Sequence, residues 1–132
     1  MNSDTKEIIE ACAHQSHAGL LIFPDVLERL IGVEVESYFA DYRDQSTTYY
    51  LSNNEALRIS MEMPQVELPT SFDKEALVLA IRGAQSDTVR YPEFLRITMA
   101  AGCIGYLVWI AGRHVSYFGR HGEVHVEHFP PG

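Results

Sequence analysis

Residues 91–130 read YPEFLRITMAAGCIGYLVWIAGRHVSYFGRHGEVHVEHFP. Proline in second place suits the first turn of a helix, and Gly102 suits its end. Three strands follow, over about Cys103–Ile110, Arg113–Gly119 and Glu123–Phe129, with His121-Gly122 as a two-residue turn between the last two. The same layout begins 68 residues earlier, at Phe23-Pro24. There a short helix with Val26, Leu27, Leu30 and Ile31 as its buried set runs to Gly32. Strands over about Val35–Arg43, Thr47–Ser52 and Glu55–Met63 follow, the last two joined at Asn53-Asn54.

Working outward, each unit has a helix in front of it. Thr5–His17 places Ile8, Ile9, Cys12 and Ser16 on one face and Glu10, His14 and His17 on the other, with Gly19 at its end. After a linker, Pro64–Pro69, the run Thr70-Ser71-Phe72-Asp73 starts a helix to about Gln85. Its EALVLAIRGA core is apolar nearly all round, which predicts burial on more than one side or a subunit interface. The halves superpose without a gap. Lys6-Glu7 falls on Lys74-Glu75, Leu27 on Leu95, Tyr38 on Tyr106, Tyr49 on Tyr117 and Glu55 on Glu123. Gly102 falls on Glu34, so the two short helices are expected to end differently. The expected fold is α+β, a single domain over 1–132. It is a tandem duplication of a helix–helix–three-strand unit, 5–64 and 73–132, with helices packed on an antiparallel sheet about an approximate twofold axis.

Composition excludes several classes. The chain has 132 residues, 46% of them hydrophobic, and a formal charge of −8. That acidity, without a basic patch, argues against nucleic acid. The stretch Met1–Gln15 lacks a basic region followed by an apolar run, so no signal peptide is expected, and the longest apolar run is too short for a membrane span. Cys12 and Cys103 make no metal spacing and no disulfide framework. They read as small core residues in a cytoplasmic setting.

The second-half run quoted above, with SHAGLLIFPDVLERLIGVEVESYFADY and TTYYL in the first half, resembles a family of small bacterial proteins of about this length, catalogued as a domain of unknown function. AAGCIGY, YFGR and EHFP are its most specific stretches. Some members carry the label phage envelope protein, so the resemblance implies prophage association. It supplies no activity, cofactor or catalytic residue to carry over.

A two-residue turn at His121-Gly122 would pair Phe118 with His125, Ser116 with Glu127 and His114 with Phe129. Val115, Tyr117, Val124, Val126 and His128 would then face the core. His114, Ser116, Phe118, Glu123, His125 and Glu127 would face outward. On that outer face His125 stands between Glu123 and Glu127, an acid–base grouping. His114, His125 and Glu127 form the metal set to test. The competing reading is a solvated strand face with cross-strand ion pairs. His14 and His17 read as solvated helix surface.

Tyr38, Tyr49, Tyr106 and Tyr117 are paired by the repeat, either as core rings or as the lining of a pocket on the twofold axis. Tyr106, Tyr117, Trp109 and Phe118 are the candidate ligand or interface residues. Trp109, on the same side of its strand as Leu107, covers a helix or marks an interface patch. Gly105, inside a strand, signals a bulge or a close backbone approach.

There is no GxSxG elbow, GxGxxG turn or Walker sequence. The reading is a soluble, non-catalytic interaction or binding protein with no cofactor. Its partner is a protein or a small molecule, and a homodimer through a helix or edge strand would cover open sheet edges. The alternative is an enzyme or ligand-sensing domain with a cleft between the repeats, using His125, Glu127 and tyrosines.

Overall fold

A computed structural model of the chain describes residues 1–130; the last two residues of the second repeat unit, Pro131 and Gly132, lie outside it. In chain order the elements are α1 (Ser3–His17), α2 (Phe23–Gly32), β1 (Val35–Asp41), β2 (Ser46–Leu51), β3 (Ala56–Ser60), α3 (Lys74–Gln85), α4 (Tyr91–Ala100), β4 (Cys103–Trp109), β5 (His114–Gly119) and β6 (Val124–His128). The strands form one antiparallel sheet in the order β3-β2-β1-β4-β5-β6. The helices lie on one face of it, giving the α+β architecture that the sequence predicts.

The helix starts follow local chemistry. Asn2 caps α1 by accepting from the Thr5 N–H at 2.8 Å, and Asp73 caps α3 by accepting from Ala76 at 3.1 Å. Pro24 and Pro92 occupy the first turns of α2 and α4, where a missing N–H costs nothing.

The repeat holds at the level of single hydrogen-bond registers. Tyr38 pairs with Tyr49, and Tyr106 with Tyr117. Ser46 pairs with Ser60, and His114 with His128. A bulge between Val35 and Ser37 recurs between Cys103 and Gly105, which is the bulge that Gly105 signals. Where β1 meets β4, Phe39 lies opposite its own repeat mate Leu107. The approximate twofold axis therefore passes through that pair, at the centre of the sheet. Backbone conformation repeats as well: Glu34 and Gly102 have φ of 65° and 87°. The two short helices end alike, contrary to the expectation from the Glu/Gly mismatch, because a glutamate here accepts the left-handed conformation that glycine takes freely.

The core lies between helices and sheet. Ile9, Leu30, Leu77, Cys103 and Val108 are fully buried. Three helix faces differ from expectation. In α1 the buried residues are Ile9, Cys12 and Ala13, while Ile8 points to solvent. In α2, Val26 and Leu30 are buried and Ile31 is exposed. In α3 one face is buried through Leu77, Ala80 and Ile81, and Leu79 is 73% exposed, so the all-round apolar run is not buried all round.

One core contact breaks the symmetry. Thr98 Oγ1 donates to the Phe94 carbonyl at 2.8 Å, so the Tyr42 hydroxyl at 2.9 Å must donate to Thr98. The repeat mates of Thr98 and Tyr42 are Leu30 and Ile110, both buried and apolar. One half thus satisfies two polar groups together where the other half carries none. Thr98→Val alone is expected to strand the Tyr42 hydroxyl and cost about 1–3 kcal/mol, while the double variant Thr98→Val/Tyr42→Phe recovers most of that loss. Urea unfolding of the four members of the cycle measures the coupling.

Candidate functional site

The three-residue geometry of the hairpin loops decides which side chains meet. The Gly119 N–H donates to the Glu123 carbonyl, and Gly122 N–H to the Gly119 carbonyl, with Gly122 at φ 82°. The loop is Arg120-His121-Gly122, a tight turn closed by a left-handed residue. The first unit does the same at Ser52-Asn53-Asn54, with Asn54 at φ 73°. Two-residue turns at His121-Gly122 and Asn53-Asn54 are therefore corrected to three-residue loops. The register slips by one: Tyr117 pairs with His125, Val115 with Glu127, and His114 with His128. A one-residue slip exchanges the faces of a strand.

His125 and Glu127 consequently lie on the helix-covered side, beside Tyr117 and Val115. Val124 and Val126, expected in the core, stand 53% and 44% exposed on the helix-free side. His114 is on that free side too, its ring 5.8 Å from His128. The set His114, His125 and Glu127 is thus divided between opposite faces of the sheet and cannot close on one ion. Among the described residues no group of three or more metal-ligating side chains comes together.

Glu127 is the hub of what does assemble. It accepts from Arg82 of α3, and His125 Nε2 lies 3.1 Å from its other oxygen. Burial pushes the carboxyl up, but the hydrogen bonds from Arg82 and His125 outweigh it and hold the group below the ordinary glutamate value. Glu123 is not part of this pair. It accepts from the His121 N–H in its own loop, at 2.8 Å. In the first unit the mates of His125 and Glu127 are Leu57 and Ile59, so the second unit closes this edge with an ion pair where the first uses apolar side chains.

A carboxyl lowered in the fold stabilises above its unfolded pKa, and that stabilisation is lost as pH falls through the folded value. Glu127→Gln is therefore expected to cost about 1 kcal/mol near neutrality. The difference from wild type should shrink below the ordinary glutamate pKa. Chemical unfolding at pH 7 and pH 3 checks it.

One internal space lies between the helices and the sheet. It is a cavity of about 240 Å³, lined from the first unit by Cys12, Ala13, Tyr38 and Tyr49 and from the second by Tyr91, Phe94, Tyr106 and Tyr117. For scale, an apolar cavity of about 150 Å³ admits benzene. Tyr38 stacks on Tyr49 at 5.3 Å, Tyr106 lies 5.6 Å from Tyr117, and Tyr38 meets Tyr106 edge-on at 6.5 Å. The repeat-related rings thus form one wall across the sheet centre. All four are buried, and burial pushes their hydroxyls above the ordinary tyrosine pKa, so they stay protonated.

The hydroxyls are not equivalent. Tyr106 and Tyr91 hydrogen-bond to each other at 2.7 Å. Among the described residues, no hydrogen bond engages the hydroxyls of Tyr38, Tyr49 or Tyr117, and these oxygens keep some exposed surface. His17 also lines the cavity. Its Nδ1 is 3.2 Å from the Ala13 carbonyl, its ring meets Tyr91 edge-on at 4.9 Å, and its Nε2 is buried without a partner. Sequence reasoning placed His17 on a solvated face. The signal it passed over was the neighbouring Ala13, small enough to let the end of α1 come down onto the sheet. The rim carries Asp87 and Arg90, which pair with each other at 2.9 Å, with Arg90 also donating to the Gly19 carbonyl.

Trp109 and Phe118 belong elsewhere. They stand on the helix-free face with Phe39, Leu107 and Tyr50; Trp109 is 39% exposed and donates from Nε1 to Ser116 Oγ at 3.3 Å. Trp109 covers no helix. Of the four candidate ligand or interface residues, then, Tyr106 and Tyr117 line the cavity and Trp109 and Phe118 occupy the opposite surface.

A duplicated α+β unit enclosing a tyrosine-walled cavity defines the structural class of this molecule. Residues 12–128 match the family described as protein of unknown function (DUF1398), and the chain belongs to that family. Over 63 residues it is also 36% identical to an uncharacterized protein of Mycobacterium bovis and to uncharacterized proteins of two Mycobacterium tuberculosis strains. That match takes in 48% of this chain and 38% of each relative. Among the described residues no helix is long and apolar enough to cross a membrane.

Proposed function

We propose that this protein is a small-molecule-binding protein rather than an enzyme, and that its ligand sits in the cavity between the repeats. One observation carries the reading: an apolar cavity of about 240 Å³ walled by repeat-related tyrosines whose hydroxyls are in part without partners. Binding pockets are mostly apolar with a few placed polar groups, which matches this lining. Against an acid–base site, His125 is not among the residues lining the cavity, and Glu127 is already held by Arg82 and His125. The cytoplasmic setting is part of this proposal and is supported by two free, buried cysteines. The prophage association rests on the family resemblance.

The test is a thermal-shift screen of small aromatic and aliphatic compounds against wild type and Ala13→Met, in which the longer side chain intrudes on the cavity. Hits that raise the Tm of wild type and lose their effect in the variant support the reading. Hits that act equally on both, or none at all, contradict it.

A second reading has its own observation. Phe39, Leu107, Trp109, Phe118, Val124 and Val126 share a sheet face that, among the described residues, no helix covers. Contiguous apolar surface of this kind marks association sites. The occupant proposed is a second copy of the chain, its sheet packed on this one. Sedimentation should give a dimer that Val126→Glu dissociates; a monomer at high micromolar concentration contradicts it.

A further inference from the structure

The hydroxyl groups around the cavity constrain what it holds. This step rests on the cavity being the binding site. Tyr38, Tyr49, Tyr106 and Tyr117 rise from the helix-covered side of the sheet, and all four line the cavity. The hydroxyl is the far end of each side chain. Tyr106 uses it to reach the Tyr91 hydroxyl of α4 at 2.7 Å, so these ends stand toward the helices, where the cavity lies. They also stand near one another. Burial is the largest reason that all four are held above the ordinary tyrosine pKa, and the neighbouring Tyr91 hydroxyl raises each of them further.

At neutral pH each of these groups is therefore an O–H with one proton to give. Among the described residues nothing receives the protons of Tyr38, Tyr49 and Tyr117, although their oxygens keep some exposed surface. The Tyr91–Tyr106 pair uses one proton between its two oxygens and leaves the other. The carboxylates in the lining do not take them. Asp87 is held by Arg90, and Glu127 by Arg82 and His125. Half-buried donors of this kind are met by whatever enters the cavity, and what they require of it is an acceptor.

Charge narrows the choice. Arg90 is engaged by Asp87 and the Gly19 carbonyl, so among the described residues the lining offers no unengaged arginine or lysine to a carboxylate or phosphate. An anion brought among these rings would lose its hydration without a counter-charge. The formal charge of −8 on the chain opposes its approach as well. The rings, for their part, offer faces and edges to an aromatic or alicyclic body.

We infer that the cavity takes an uncharged, ring-bearing small molecule with an accepting carbonyl oxygen, a ketone, aldehyde or lactone, which receives hydrogen bonds from the unpartnered tyrosine hydroxyls while its body packs against the rings. The accepting oxygen is what separates a fitting ligand from an equally apolar one. A single hydrogen bond of this kind is worth up to about tenfold in affinity.

The experiment compares acetophenone, ethylbenzene (a methylene in place of the carbonyl) and benzoate by NMR titration. The proteins are wild type and the triple variant Tyr38→Phe/Tyr49→Phe/Tyr117→Phe. Each substitution removes a hydroxyl that has no protein partner, so the variant should keep the Tm of wild type or exceed it. In wild type, acetophenone should bind about tenfold more tightly than ethylbenzene, and benzoate more weakly than acetophenone. In the variant the ratio of acetophenone to ethylbenzene affinities should fall toward one. The infrared carbonyl stretch of bound acetophenone gives a readout independent of any variant: in wild type it should lie below its position in hexane. Equal affinities for acetophenone and ethylbenzene in wild type, tighter binding of benzoate, a preference for acetophenone that survives in the variant, or a carbonyl stretch unchanged from hexane each overturn the inference and leave the pocket standing. Absence of binding by all three compounds removes the pocket itself.

Discussion

Alanine at Gly102 is expected to destabilise the protein by about 3–5 kcal/mol, a fall in Tm of roughly 10–20 °C for a chain of this size. Two independent costs add there. Gly102 sits at φ 87°, a conformation that a Cβ penalises. The added Cβ would also stand 2.0 Å from the Ser71 carbonyl oxygen and 3.2 Å from Phe72 Cα. Those are backbone atoms of the segment leading into α3, and Asp73, the α3 cap, is itself held by an N–H bond to the Ala101 carbonyl at 2.7 Å. The clash cannot be relieved by turning a side chain. The repeat mate gives the opposite sign. Glu34 adopts φ 65° with a side chain present, so Glu34→Gly should be neutral or stabilising by up to about 1 kcal/mol. Urea unfolding of the two variants compares one repeat position in its two settings.

Gly105→Ala is the other large effect, expected to cost about 3 kcal/mol or more. Gly105 lies at the bulge of β4 and pairs with Asp41 across the seam where the two units share the sheet. A Cβ there would stand 2.4 Å from the Ala40 carbonyl oxygen, and φ of 157° is one that side chains rarely adopt. Ala40 is fully buried near the end of β1, at the seam with β4, so neither strand can yield without disturbing the register on which both units depend. The measurable outcome is a lower unfolding midpoint with weakened hydrogen-exchange protection of the β1 and β4 amides first. Loss of protection at β3 or β6 alone would contradict a shared central seam.

Much of this fold was legible because its signals were duplicated. Proline at the start of α2 and again at the start of α4, tyrosine at 38 and 106, and glutamate after each hairpin loop fall at one spacing, and every register follows it. The strand order was not legible. It depends on β1 meeting β4, a contact between distant segments that no local pattern announces.

The faces of β6 were misread for a specific reason. Val124 and Val126 look like core residues, and a histidine–glutamate alternation looks like surface. Yet their repeat mates Ala56 and Arg58 point away from the helices, and Leu57 and Ile59 point toward them. The first unit carried the right answer for the second, and the left-handed third residue of each loop, Asn54 and Gly122, set it. The cavity was legible only as a set of repeated tyrosines. Its volume depends on how far the helices stand from the sheet, which side-chain identity along a strand does not fix. His17 joins it through the approach of Ala13, a tertiary effect that helical periodicity assigns to the wrong side.

The claim that the repeats enclose a binding pocket is tested most directly by NMR on the wild-type protein titrated with phenol. Saturable shifts are predicted for Ala13 and for the rings of Tyr38, Tyr49, Tyr106 and Tyr117, with Trp109 on the opposite face unmoved. Shifts confined to Trp109 and its neighbours on the helix-free face, or no saturable shift at the cavity tyrosines, would contradict it.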